Sequence, residues 1–294
     1  MPLIIYCGPG SEQMGFETAG LLGLEAALVE HRTFPDGESH LRLTRDVEGE
    51  DVVLIHSTAP PQDRRLVQLL LILGALRDLG AAEVVLVAPY LTYARQDRRR
   101  LEGEAVSAST VIRLLVSLGV SRLITVNVHN PEVFSGSGLE LHDISAIPLL
   151  AEHYEAEGYG GSFSLSLGKK PVDLEHARAA EAVLGGGCGV LETFRDPTTG
   201  RVVLGEKDLG VEGRRVIIFD DVITSGATHL RAVESLREKE AIEVHLACVH
   251  SLLDDEGLSL VCEMTDGFVC TDTIQSQSSV VKVAPLIAEA ILRG

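Results

Sequence analysis

The sequence predicts an α/β protein built from two doubly wound domains with mostly parallel sheets. Three observations lead there. Short apolar runs alternate with longer segments whose apolar residues recur at helical spacing, the pattern of buried strands and the helices laid over them. The alternation runs through the first half of the chain and resumes in the second. The 294 residues, 45% of them hydrophobic, are enough for two cores, on a prior of roughly 150 residues per domain.

In the first half, LIIYCG (3–8), DVVLIHS (51–57), EVVLVAPYL (83–91) and RLITVNVH (122–129) are expected to be buried strands. Between them SEQMGFETAGLLG (11–23), DRRLVQLLLILGALRDLG (63–80) and SASTVIRLLVSLG (107–119) carry apolar residues at helical spacing. After LHDISAIPLLAEHY (141–154) come the strand-like GSFSLSL (161–167), RRVIIFDD (214–221), EVHLACVH (243–250) and GFVCTDT (267–273). DLEHARAAEAVL (173–184), HLRAVESLREKEA (229–241) and VAPLIAEAILRG (283–294) supply the helices. EGEDV, LGGGCG and DPTTGR read as turns or hairpin tips, and no low-complexity tract or short-period repeat occurs. The expected division is residues 1–142 and 143–294.

Charge and cysteine usage narrow the function classes. Acidic residues outnumber basic ones, 43 to 25, for a formal net charge of −18, which disfavours a nucleic-acid partner. The five cysteines are odd in number, widely spaced and without a C-x-x-C pair, as expected of buried, reduced thiols. No apolar stretch of about 20 residues occurs, and the start MPLIIYCGPG lacks the charged and hydrophobic regions of a signal peptide. A cytoplasmic protein with no membrane partner is the expectation.

The most informative stretch is VIIFDDVITSGAT, residues 216–228. In an open parallel sheet, ligands bind at the carboxyl ends of strands, where helix amides point outward. Thr224, Ser225 and Thr228 offer hydroxyls there, and Gly226 lets the backbone approach closely, so a phosphate monoester can be cradled without a basic side chain. Asp220 and Asp221 can accept hydrogen bonds from vicinal hydroxyls or help to hold a divalent ion. A sugar phosphate suits both parts; the competing reading has the aspartates cap the next helix and the small residues turn the chain. His129, after an apolar strand, suits either a metal ligand or a satisfied structural residue.

This stretch resembles the phosphoribosyl-binding signature of type I phosphoribosyltransferases and of ribose-phosphate diphosphokinases, the PRPP synthases. FPDGESHLRL (34–43) and APYLTYARQDRR (88–99) look like the two ATP-associated motifs of the diphosphokinases, which simple transferases lack. TVNVHNPEVF, DISAIPLLAEHY and CTDTIQSQSSVVKVAPLIAEAI extend the similarity along nearly the whole chain. The resemblance implies domains of type I phosphoribosyltransferase architecture and transfer of a diphosphoryl group from ATP to the C1 hydroxyl of ribose 5-phosphate, with Mg2+ bridging the phosphates. Such a transfer needs charge neutralisation and in-line positioning more than covalent help.

By the same resemblance, Arg95, Gln96 and Arg98 contact the nucleotide, His129 associates with magnesium, and Asp220, Asp221, Thr224, Ser225, Gly226 and Thr228 hold ribose 5-phosphate. Phe34, Asp36 and Glu38 match positions that meet the adenine from a neighbouring subunit, which implies a homo-oligomer. The basic cluster from Arg95 to Arg100 would have to reverse the acidic field within a Debye length of about 8 to 10 Å.

Two stretches depart from the family pattern. Where the diphosphate loop carries a metal-sharing aspartate, this chain has Lys169 and Lys170, with Asp173 a few residues late. In the catalytic loop Thr193 stands at the place of a lysine, while the arginine is kept as Arg195, the expected catalytic residue. Arg98 to Arg100, Arg201 and Lys207 are the cations available to replace the lysine. These departures leave two alternatives open: a non-catalytic regulatory paralogue, or an enzyme of different sugar-phosphate specificity on the same fold.

Overall fold

The apolar run that opens the chain forms β1 (Leu3–Cys7), and its last three residues are fully buried. The computed structural model describes residues 3–195, 202–205 and 209–293. Through residue 144 the chain forms α1 (Glu12–Leu22), β2 (Ala26–Thr33), β3 (Ser39–Leu43), β4 (Asp51–Ile55), α2 (Gln62–Asp78), β5 (Glu83–Val87), α3 (Ser107–Ser117), β6 (Val120–Val126) and β7 (Glu140–Ile144). Seven strands lie in the order β3-β2-β1-β4-β5-β6-β7, and every pair is parallel except β2 with β3. Parallel strands covered by helices have both faces dry, which is why β4 reads DVVLI with no polar alternation. Leu69, Ile72, Leu73 and Leu76 of α2 pack with Leu54 and Leu86 in the core of this unit.

The second unit follows with α4 (Ile147–Tyr154), β8 (Phe163–Leu167), α5 (Pro171–Leu184), β9 (Cys188–Leu191), β10 (Thr193–Arg195), β11 (Val202–Leu204), β12 (Arg215–Ile223), α6 (Ala227–Glu238), β13 (Glu243–Ser251), α7 (Asp255–Met264), β14 (Gly267–Thr271) and β15 (Ser279–Val281). Its six-stranded sheet, β15-β14-β13-β12-β8-β9, is parallel throughout, and β10 with β11 makes a separate antiparallel ribbon. Leu165, Ile218, Val233, Leu236, Leu246 and Val261 form the centre of its core. The closing helix α8 (Ala284–Arg293) belongs to the first unit, which comprises residues 1–144 and 283–294, while residues 145–282 make the second.

The winding of each sheet reverses once. In the second unit α5 carries the chain from β8 outward to β9, whereas α6 carries it from β12 the other way to β13. The reversal therefore falls between β8 and β12, and a crevice opens outside their carboxyl ends. In the first unit the reversal falls between β1 and β4. There the half-buried guanidinium of Arg65 lies across the loop after β1, donating to Pro9 O at 2.6 Å and to Gln68 Oε1 at 3.1 Å.

Every strand and helix expected from the alternation is present, and several elements lacked that signal. β2 is buried at alternate residues only in its first half and then turns wholly exposed; β3 and β15 are short strands at sheet edges. The expected tip DPTTGR lies outside the described residues, as do Arg201 and Lys207. Among the described residues no helix is long and apolar enough to cross a membrane.

Candidate active site

The stretch 216–228 folds as strand, tight loop and helix at the crevice between β8 and β12. Gly226 is the N-cap of α6 with φ at +71°, and a Cβ there would stand 3.0 Å from Val261 Cγ2. A left-handed residue packed that closely has to be glycine. Thr224 and Ser225 are exposed and Thr228 half-buried, and no hydrogen bond among the described residues occupies their hydroxyls. The first amides of α6 lack intrahelical acceptors by geometry, so loop and helix start present donors in one place.

The two aspartates are adjacent in sequence, and the Asp221 side chain interacts directly with the Asp220 carboxyl. Asp220 shares a face with the core residues Val216 and Ile218 and meets α6, where His229 Nε2–H donates to its Oδ2 at 2.7 Å. Its Oδ1 accepts from the Asp221 amide at 2.8 Å. Burial drives the Asp220 carboxyl above the usual carboxylate range; the His229 hydrogen bond draws it back down, and the Asp221 charge adds to the rise. The charge of Asp221 also acts on Asp173 and His176 of α5.

The loop from β8 to α5 passes through Gly168, with φ at +146°, to the exposed Lys169 and Lys170. Asp173, in the first turn of α5, folds back onto this loop: its Oδ2 accepts from the Lys170 amide at 2.6 Å and lies 2.1 Å from where a Cβ on Gly168 would be. The carboxylate that the sequence offers a few residues late is thus brought over the loop itself. Burial raises the Asp173 carboxyl, against the Lys170 amide and His176, and burial lowers the neighbouring His176 imidazole. Thr193 and Arg195 bound the strand β10, whose residues pair with Leu204 and Val202.

In the first unit, FPDGE is the tip of the β2–β3 hairpin. Phe34 N donates to Glu38 O at 2.8 Å, and the Glu38 amide donates to Asp36 Oδ1 at 3.1 Å, so the tip is internally tied. Phe34, Asp36 and Glu38 are exposed. The Arg32 guanidinium lies 5.1 Å from the Phe34 ring centre, and His40 meets the ring edge-on at 5.6 Å. Arg32 and His40 are register partners across the hairpin, a pairing that sequence reading missed.

The segment after β5 holds Arg95 and Arg98 exposed, while Gln96 Oε1 accepts from the Ser107 hydroxyl at 2.7 Å. Asp97, between them, accepts from Asn130 Nδ2 at 2.6 Å. Burial pushes the Asp97 carboxyl up, but Asn130, a backbone amide and the charges of Arg98 and His129 together hold it below its ordinary value. His129 is half-buried beyond the end of β6, close enough to act on Asp97. Arg95, Gln96, Asp97, Arg98, His129 and Asn130 thus gather at the carboxyl ends of β5 and β6, and Asp97 and Asn130 are the members that sequence reading missed. A magnesium ion favours oxygen ligands and keeps waters, so at this locus the Asp97 carboxylate, beside His129, is the group that suits it as a partner to substrate phosphates. Among the described residues no three His, Cys, Asp or Glu converge as a metal cage.

The sequence model of the N-terminal domain of ribose phosphate pyrophosphokinase matches residues 3–119, and that of the phosphoribosyl transferase domain matches residues 190–283. A ribose-phosphate pyrophosphokinase of Methanothermobacter thermautotrophicus is 36% identical over 298 residues, covering 98% of this chain and 99% of that relative. The chain belongs to the ribose-phosphate pyrophosphokinase family. A second ribose-phosphate pyrophosphokinase, from Methanopyrus kandleri, is 35% identical and covers 98% of each chain. The crystal structure of phosphoribosylpyrophosphate synthetase from Mycobacterium smegmatis matches with a TM-score of 0.84 at 25% identity, over 99% of this chain and 98% of that one. The ribose-phosphate pyrophosphokinase likeness thus extends over nearly the whole chain.

Proposed function

We propose that this chain is a ribose-phosphate diphosphokinase: it transfers the diphosphoryl group of ATP to the C1 hydroxyl of ribose 5-phosphate, giving phosphoribosyl diphosphate and AMP. The observation that carries this reading is the loop at Asp220–Thr228, with its unoccupied hydroxyls and left-handed Gly226 at the mouth of a parallel strand, in one chain with the Phe34 hairpin and the Arg95–Arg98 segment. In this reading the 5-phosphate sits on the Thr224, Ser225 and Thr228 hydroxyls and the first amides of α6. Asp220 and Asp221 accept from the ribose hydroxyls.

The nucleotide phosphates meet Arg95 and Arg98, with Gln96 beside them, and the adenine meets Phe34, Asp36 and Glu38 of a neighbouring copy in a homo-oligomer. Arginine forks match phosphate oxygens in a way a lysine point charge does not. Magnesium, when bound with the substrates, supplies charge neutralisation at the phosphates. His129 would stand on its protein side, and the Asp97 carboxylate, held below its ordinary value, keeps that locus negative. Arg195 supplies positive charge in the transition state, and the lysine that would stand beside it is Thr193. Losing one such donor costs about 10²- to 10³-fold in rate, so turnover is expected to be slow. Five free thiols support a reducing compartment, the cytoplasm.

The test is AMP release by the purified protein with ATP, magnesium and ribose 5-phosphate, with Thr193→Lys alongside. Slow turnover that rises in Thr193→Lys is expected. Silence from both proteins, with either ligand still bound, would overturn the reading in favour of a regulatory paralogue.

A further inference from the structure

On β12, Asp220 is held by a side chain of the helix that follows. We propose that His229 is a positioning residue for ribose 5-phosphate: its Nε2–H fixes the Asp220 carboxylate as an ionised acceptor for one of the sugar's vicinal hydroxyls. The inference rests on the functional reading above and assigns a role to a residue outside the motif that suggests it.

Three observations support it. The contact is short, 2.7 Å, and its donor is well sheltered, with 9% of the His229 side chain exposed. A carboxylate can only accept, so Nε2 carries the proton. The other oxygen of Asp220 is held by the Asp221 amide at 2.8 Å, so both oxygens are engaged by the protein, while a carboxylate's roughly four acceptor sites leave capacity for a ligand. A carboxylate clamped at both oxygens has its orientation fixed before the sugar arrives, which removes an ordering cost from binding. Finally, burial favours the protonated form of Asp220, which would donate where an acceptor is needed, and the hydrogen bond from His229 is the largest influence opposing it.

Placement on the fold adds a coupling. His229 follows Thr228 in the first turn of α6, the helix whose N-terminus carries the phosphate loop. Any shift of that turn therefore moves the phosphate donors and the clamp on Asp220 together. The neighbouring Asp221 acts by its charge on Asp173 and His176.

The experiment is calorimetric titration of the full chain with ribose 5-phosphate and, separately, with ATP, for the unaltered protein, His229→Leu, His229→Gln, Asp220→Asn and the Asp220→Asn/His229→Leu double variant. A hydrogen bond to a charged group implies a loss of roughly 10- to 100-fold in ribose 5-phosphate affinity for His229→Leu, with ATP affinity unchanged. His229→Gln, which keeps an N–H that reaches Asp220, should recover most of the loss. In the Asp220→Asn background His229→Leu should add nothing further. Unchanged affinity in His229→Leu, equal losses in Leu and Gln, or full additivity in the double variant would each overturn the proposal. Should His229→Leu fail to fold, His229→Asn, whose amide is too short to reach, replaces it, and equal affinities for Asn and Gln overturn the proposal. Failure of the unaltered protein to bind ribose 5-phosphate would instead sink the functional reading, and this inference with it.

Discussion

At the scale of single residues, the sequence named the groups and the structure gave them directions. Asp220 and Asp221 read as one paired feature; the structure adds a hydrogen bond from His229 to the first and has the charge of the second act on Asp173 and His176. No motif reading could find His229, because its link to Asp220 runs from a helix back to a strand nine residues earlier. Asp221→Asn should weaken ribose 5-phosphate binding about tenfold or more and leave ATP binding unchanged; equal losses for both in a titration would remove Asp221 from the sugar site. A second prediction concerns His56, fully buried, whose Nε2–H donates to Arg65 O at 2.9 Å while Nδ1 has no partner. Burial lowers this imidazole from 6.5 to about 4. Between those values the unfolded chain takes up a proton that the folded chain refuses, so stability is present above about 6.5 and is lost as pH falls. The loss between pH 7 and pH 5 is about 2 kcal/mol. Denaturant unfolding of His56→Gln should show a shallower decline over that range than the unaltered protein; parallel declines would clear His56 of the effect.

At the scale of elements, the buried parallel strands and the long helices were legible because dry strands are continuously apolar and covering helices are periodic. The exposed half of β2 and the edge strands β3 and β15 were not: the tip of the β2–β3 hairpin has no buried face to write a pattern, and β15 is only three residues long. The same holds for the return of Asp173 over Gly168, which depends on the first turn of α5 and on no motif. The loop before α6 depends on one backbone conformation. Gly226→Ala should lower stability by about 1 to 3 kcal/mol, because the left-handed φ is strained for alanine and its Cβ would press on Val261, 3.0 Å away. Ribose 5-phosphate affinity should fall with it. A melting curve and a titration check both; an unchanged affinity in a folded variant would show that the loop does not form the phosphate cradle.

At the scale of the whole molecule, the two-sheet α/β architecture follows from the strand–helix alternation, while periodicity alone does not say which sheet a given helix covers. VAPLIAEAILRG reads as a helix, and only the fold shows that α8 joins the unit begun by β1. The Phe34 hairpin makes a prediction at this scale. Phe34→Ala should weaken ATP binding about tenfold, within the 1 to 3 kcal/mol that stacking on an aromatic ring contributes. If that ring serves a neighbouring copy, mixing Phe34→Ala with Arg95→Ala should restore part of the activity that each lacks alone. No restoration after subunit exchange would place both residues in the same protomer's site. The return of α8 to the first unit also bears on the order of synthesis. The β1 sheet leaves the ribosome early, but residues 283–294 are added only after all of residues 145–282 have been made. The first unit therefore waits, with the side of α1 that receives α8 uncovered, while the second unit is translated and free to fold. A fragment ending at residue 144 would carry that same bare surface, and a peptide of residues 283–294 added in trans is what would cover it.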